Sequence, residues 1–187
     1  IAYVQIYTFG DNTSPELRNA LKTLLSQNPK GLIIDLRNNG GGYLQTAIEV
    51  ASEFINDGVI MYEQYGNGQQ DVYKALGGGL ATNIPLVVLV NEGTASASEI
   101  VSGAIQDYER GKLVGTTTYG KGSVQNWIPL RDDQGAIRVT IAHWLTPQQR
   151  QINNVGLTPD VEVKITDADI KANLDTQLQK AIELLSQ

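Results

Sequence analysis

The chain has 187 residues, 41% of them hydrophobic and 18% charged, with a formal net charge of −6. That balance suits one globular domain with a real core and argues against disorder. An acidic chain without a Lys/Arg cluster excludes a nucleic-acid footprint, no apolar run reaches membrane-spanning length, and zero cysteines exclude disulfides, thiolate zinc sites and a cysteine nucleophile.

The sequence opens at Ile1, already inside a strand-like pattern and without an initiator methionine. It reads as a trimmed segment, so the lack of a targeting signal means little. Residues 1–9 alternate Tyr3, Gln5 and Tyr7 against Ala2, Val4 and Ile6, which predicts a strand. Ser14, Pro15 and Glu16 predict a helix start with Ser14 as N-cap, and Leu17, Leu21, Leu24 and Leu25 follow at helical spacing. Residues 31–36, GLIIDL, form an apolar run of the kind buried on both faces of a parallel sheet. A glycine turn, Gly40-Gly41-Gly42, then leads into helical periodicity from Leu44 to Ile55. A strand, glycine turn and helix bring backbone N–H groups close to a ligand, though a plain tight turn explains the glycines equally well.

Residues 59–65 and 71–75 read as strands around Gly66-Asn67-Gly68, and Gly77-Gly78-Gly79 as a flexible loop. Residues 84–90 form the second buried strand, followed by a helix carrying Ile100, Val101, Ala104 and Ile105 inward. A short strand at 112–115 precedes two more, 123–130 and 136–145, joined by a hairpin turn at Asp132-Asp133-Gln134-Gly135. Val161, Val163 and Ile165 alternate as a short strand, and one amphipathic helix is predicted over 169–185. Two βα units with buried strands, plus antiparallel additions, indicate a single α/β domain.

Four chemical readings compete. A Ser-His-Asp triad needs an imidazole, and the only histidine, His143, lies in an alternating strand as a structural or rim residue. One histidine and scattered carboxylates make a poor metal site. The run from Gly115 to Lys121 satisfies G-x-x-x-x-G-K, but Gly122 replaces the magnesium-binding hydroxyl and a strand follows where a helix is needed. A nucleotide-binding phosphate loop is therefore only an alternative.

The fourth reading pairs a serine with a lysine. A serine hydroxyl is a weak nucleophile until a neighbouring base takes its proton. Lysine does so only in its neutral form, which burial favours. Gly120 and Gly122 allow close packing around Lys121, and Tyr119 and Trp127 are positioned in sequence to exclude water. By the strand period of two, Lys121, Ser123 and Gln125 share a face, so Gln125 can orient the amine. On the serine side, Thr94, Ser96 and Ser98 alternate with alanines, and spacing alone does not choose among them. Ser96-Ala97-Ser98-Glu99 is also a helix capping box. Asp107 lies eleven residues after Ser96 on the same helical face, where a solvated helix-end carboxylate is the simpler reading.

The stretch TASASEI, then Asp107, then YGKGSVQ resembles the C-terminal processing peptidases, or tail-specific proteases, of serine-lysine peptidase family S41. LIIDLRNNGGGYL is similar to the family's strand and glycine turn, with Gly40 in place of the usual proline, and INNVGLTPDVEV resembles its G-x-x-P-D motif. The resemblance implies a crotonase-like (ClpP-like) protease core with a parallel-rich sheet and flanking helices. It implies Ser96 as nucleophile, Lys121 as general base and Gln125 as the residue that positions it. Backbone N–H groups of Ala97 and Gly41, or Gly42 one residue on, would form the oxyanion hole. Asp107 matches a family aspartate whose role stays open. The implied reaction is endopeptidase cleavage of protein substrates near their C-termini through an acyl-enzyme, without cofactor. Family members carry a PDZ domain before this core, and Ile1 falls about where that domain would end. The implied location is extracytoplasmic: periplasm, cell envelope or thylakoid lumen. A non-catalytic peptide-binding module of the same fold is the other alternative.

Overall fold

The computed structural model describes residues 1–131 and 134–187, with the side chain of Trp127 also outside the description. The predicted hairpin turn at Asp132 and Asp133 thus falls outside the described residues. Two sheets carry the fold. The first is parallel, in the order β1 (Ala2–Gln5), β2 (Leu32–Asp35), β5 (Leu86–Val90), β6 (Lys112–Gly115), β9 (Val161–Glu162). The second is antiparallel, in the order β4 (Gln70–Lys74), β3 (Val59–Tyr65), β8 (Ala136–Leu145), β7 (Ser123–Pro129).

The apolar runs in β2 and β5 are buried throughout, because helices cover both faces of the parallel sheet. Successive side chains alternate between them. Leu32, Ile34, Leu86, Val88 and Val90 join the large core under α1 (Thr13–Leu25), α2 (Leu44–Ser52) and α3 (Ala97–Asp107). Ile33, Val87 and Leu89 face the other way and pack with Ala181 of α5 (Thr176–Leu184). Among the described residues no helix is long and apolar enough to cross a membrane.

Three local expectations change. Helix α1 begins at Thr13, not after Ser14, and Asn12 is its N-cap. The Thr13 hydroxyl accepts from Gly10 N and donates to Thr8 O, each at 3.0 Å, and this turn draws the helix start forward. Pro15 then falls in the first turn, where its absent N–H costs nothing. The loop around Gly77–Gly79 is pinned rather than loose: Arg18 donates to Gly78 O at 3.0 Å and Leu80 N to Glu53 at 2.9 Å.

The single C-terminal helix is two. The first, α4 (Asp167–Lys171), ends where Asn173 adopts φ 53, and Asp175 caps α5 by accepting from Leu178 N at 2.9 Å. Asp175 also binds Arg37, which bridges it to the buried Asp35 at the end of β2. Burial opposes the charged form of Asp175, but the Arg37 and backbone hydrogen bonds outweigh it and hold the carboxyl below its ordinary range. That stability is present above the ordinary carboxylate range and is lost as pH falls through the lowered value. Melting temperature should fall in strong acid by less in Asp175→Asn than in the parent. Arg37→Ala leaves the Asp35 carboxylate, only 1% exposed, without its cation and with only Tyr3 Oη and the backbone N of residue 37 as donors, and should cost about 3–5 kcal/mol in denaturant titration.

Candidate active site

The two strand–turn–helix units meet at one edge. β2 and β5 are parallel neighbours, paired from Leu32↔Leu86 to Asp35↔Leu89, so their turns leave the sheet at the same end. Hydrogen bonds tie the turns together. Ala95 N donates to Asn39 O at 3.0 Å, and Ser98 Oγ to the same carbonyl at 2.9 Å. The buried Asn39 side chain donates to Ile6 O at 2.6 Å and accepts from Gly41 N at 2.9 Å. Nothing in its type or spacing marks this asparagine as an organiser.

Burial separates the three hydroxyls. Thr94 and Ser98 are both 0% exposed. Each spends its hydroxyl on a backbone carbonyl, Thr94 on Leu36 O and Ser98 on Asn39 O, both at 2.9 Å. Of the three, Ser96 alone lines a cleft, of about 310 Å³. Its backbone has φ 57 and ψ −117, a conformation that costs a non-glycine residue of order 1–3 kcal/mol and collects at functional sites. A strained serine between strand and helix is the device that exposes the nucleophile in α/β-hydrolases. Here it also heads α3, where free N–H groups favour developing negative charge. The capping box is present as well, with Ser96 N donating to Glu99 Oε2 at 2.8 Å.

Gly41 packs against this turn. At φ +99, a Cβ there would stand 2.8 Å from Ser96 Cβ and 2.9 Å from Ala97 N. Its N–H is already taken by Asn39. The N–H groups of Gly42 and Ala97 make no hydrogen bond among the described residues, and both residues line the cleft. The geometry therefore favours Gly42 over Gly41 as the donor to pair with Ala97.

Lys121, Ser123, Val124 and Gln125 also line the cleft. Simple alternation fails for them: Lys121 precedes β7, and the β7–β8 register shifts between Val124 and Gln125. Leu44, Met61, Ile100 and Trp144 add an apolar wall. Lys121 is exposed, and its amine makes no hydrogen bond or ion pair among the described residues. Ser96 and Lys121 thus share the cleft without a hydrogen bond between them, as unliganded sites often do. Tyr119 does not shield the lysine, being 67% exposed, because its backbone N donates to Thr94 O and leaves its ring in solvent. The aromatic neighbour is Trp144, buried, whose Nε1 donates to Lys121 O at 3.0 Å.

The lysine turn rests on a distant loop. Thr118 N donates to Leu157 O at 3.1 Å, Leu157 N to Thr118 Oγ1 at 2.8 Å, and Asn154 N to Gly120 O at 2.8 Å. A Cβ on Gly120 would meet Gly156 N at 2.8 Å, so the expected close packing is there, with residues 152–157 as its partner. Because β7 follows, no helix N-terminus stands after Lys121 and the phosphate-loop reading fails. His143 lies across from Ser123 on β8, half-buried and outside the cleft lining.

Asp107 is not brought to this site. It sits at the far end of α3, about 16 Å along the axis from Ser96. Its buried carboxylate pairs with Arg150 and accepts from Gln148 N at 2.8 Å, fastening the segment after β8 to the helix.

Residues 1–163 match the model of peptidase family S41. A carboxyl-terminal-processing protease of Synechocystis sp. is 43% identical over 189 residues, covering 100% of this chain and 44% of that protein. The chloroplastic C-terminal processing peptidase of Tetradesmus obliquus is 40% identical, covering 87% of this chain and 35% of that protein. The solved photosystem II D1 C-terminal processing protease superposes with a TM-score of 0.83 at 40% identity, covering 87% of this chain and 42% of that one. The chain therefore spans less than half the length of these relatives. Family model, relatives and fold agree, and the chain belongs to peptidase family S41.

Proposed function

We propose that this chain is the catalytic core of a serine endopeptidase in which Ser96 attacks the peptide carbonyl and Lys121 accepts its proton. The observation that carries the reading is Ser96 itself: strained, at the head of α3, and facing one cleft with Lys121 and Gln125. The Ser96 Oγ–carbonyl bond forms as its proton passes to the lysine amine, and the C–N bond breaks as the amine leaves with that proton. An acyl-enzyme on Ser96 is then released by water. The N–H groups of Gly42 and Ala97 receive the oxyanion, and Gln125 holds the amine.

The outer edge of β7 supports an extended substrate. β7 ends the sheet order β4-β3-β8-β7 and leads its first residues along the cleft. A peptide added there as a strand runs past Ser96. The relatives' names favour segments near protein C-termini as substrates. The chloroplastic one favours work outside the cytoplasm, in a periplasm, cell envelope or thylakoid lumen.

The test is incubation of unstructured polypeptides with the protein at its full natural length, with products mapped by mass spectrometry. Cuts clustered near C-termini are expected. Binding without cleavage would leave the non-catalytic module, and cuts spread evenly would remove the C-terminal preference.

A further inference from the structure

Among the described residues Glu99 is the most deeply buried carboxylate. It is 0% exposed, and none of the ion pairs among the described residues includes it. Four donors meet its charge instead. Ser96 N at 2.8 Å and Lys121 N at 2.9 Å share Oε2, while Thr118 Oγ1 at 2.5 Å and Gly120 N at 2.7 Å share Oε1. A capping box requires only the first of these. The other three reach 19 to 22 residues along the chain to the lysine turn. A buried carboxylate without this set would carry a large desolvation penalty, so the site is built around it.

We infer that Glu99 is a positioning residue for catalysis: one carboxylate oxygen sets the spacing between the backbone of Ser96 and the backbone of Lys121. The inference rests on the reading of those two residues as nucleophile and base. No hydrogen bond joins the two side chains in this structure, so their separation depends on how the two turns are docked. Glu99 is the joint. Thr118 extends it, since its hydroxyl donates to Glu99 and accepts from Leu157 N at 2.8 Å. The loop at 152–157 thereby bears on the lysine through the same joint.

Glu99→Gln tests this with almost no change of shape. Glutamine has a single acceptor oxygen, and its NH₂ faces either the N–H groups of Ser96 and Lys121 or the N–H of Gly120 beside the Thr118 hydroxyl, so donor meets donor whichever way it turns. In the protein at its full natural length, kcat should fall about 100-fold, the scale of a misplacement near 1 Å. KM should stay within about twofold, because uniform binding is untouched. Phosphonylation of Ser96 by a fluorophosphonate should slow in parallel. Thr118→Val, which removes one donor, should lower kcat about tenfold. Melting temperature is read for every variant. A role in helix capping alone lowers melting temperature but leaves kcat of the folded protein at the parent value, and that result in either variant overturns the inference. If neither variant folds, Glu99 is a stability residue and the inference also falls. Ser96→Ala and Lys121→Ala run alongside: activity surviving in either would sink the underlying reading, separately from the role of Glu99.

Discussion

Ser96→Ala should lower peptide hydrolysis by about 10⁶-fold, to the level left by binding and backbone donors alone. The change removes one oxygen from a partly exposed side chain. Alanine has the same backbone restrictions as serine, so the strained turn is neither relieved nor worsened. Ser96 N keeps its bond to Glu99. Melting temperature should therefore move little while turnover disappears. Thr94→Val and Ser98→Ala behave in the opposite way. Their hydroxyls tie the serine turn to Leu36 O and Asn39 O and face no substrate. Each should cost stability of about 0.5–1.5 kcal/mol and leave detectable activity. Circular dichroism melts and a fluorogenic peptide assay separate the two patterns.

Gly41→Ala is the second large effect, and it acts without touching a reacting group. The added Cβ would lie 2.8 Å from Ala95 O and 2.8 Å from Ser96 Cβ. Backbone on that side cannot yield cheaply, since Ala95 N is held by Asn39 O. At φ +99 alanine is strained as well, at a cost of about 1–3 kcal/mol. Relief comes only by moving the serine turn away from the glycine turn. The N–H groups of Gly42 and Ala97, proposed to receive the oxyanion, would separate, and kcat should fall about 100-fold or more. Gly40→Ala is the control. Among the described residues nothing lies within 4 Å of where its Cβ would stand, so stability should stay within about 0.5 kcal/mol. Equal losses at the two positions would mean that the glycine run matters for chain flexibility rather than for packing against Ser96.

Much of this site is legible in local pattern, and the reason is physical. Apolar runs such as residues 31–36 and 84–90 have few places to go other than the middle of a covered sheet. The turns that follow them then share one edge, which brings Gly41 and Ser96 together across about fifty residues of sequence. The choice of Ser96 over Thr94 and Ser98 is not local. It depends on which hydroxyls find a carbonyl, and those carbonyls belong to Leu36 and Asn39 on the neighbouring unit. The same limit hides Glu99. Its capping-box spacing is visible in sequence, but its bonds to Thr118, Gly120 and Lys121 exist only once the lysine turn is docked.

Three further differences have the same origin. Adjacency in sequence points to Tyr119 and Trp127 as cover for the lysine; Tyr119 lies in solvent, the side chain of Trp127 falls outside the described residues, and Trp144 arrives from β8 to bond the lysine's backbone. Regular apolar spacing makes the C-terminal helix look continuous. Arg37 binds Asp175 from 138 residues away, and the helix restarts there. Asp107 ends its helix as expected, yet its carboxylate is buried rather than solvated, and its partner Arg150 is 43 residues on. Periodicity finds the elements, but polar side chains choose partners across them.

The most direct test of the Ser96–Lys121 assignment is a crystal structure of the protein inactivated by a peptidyl phosphonate. The account predicts a covalent bond to Ser96 Oγ and a phosphoryl oxygen receiving the N–H groups of Gly42 and Ala97. It also predicts Lys121 Nζ within hydrogen-bond reach of Ser96 Oγ, about 3 Å. An adduct on any other residue, or a lysine amine still turned to solvent with the adduct in place, would contradict it.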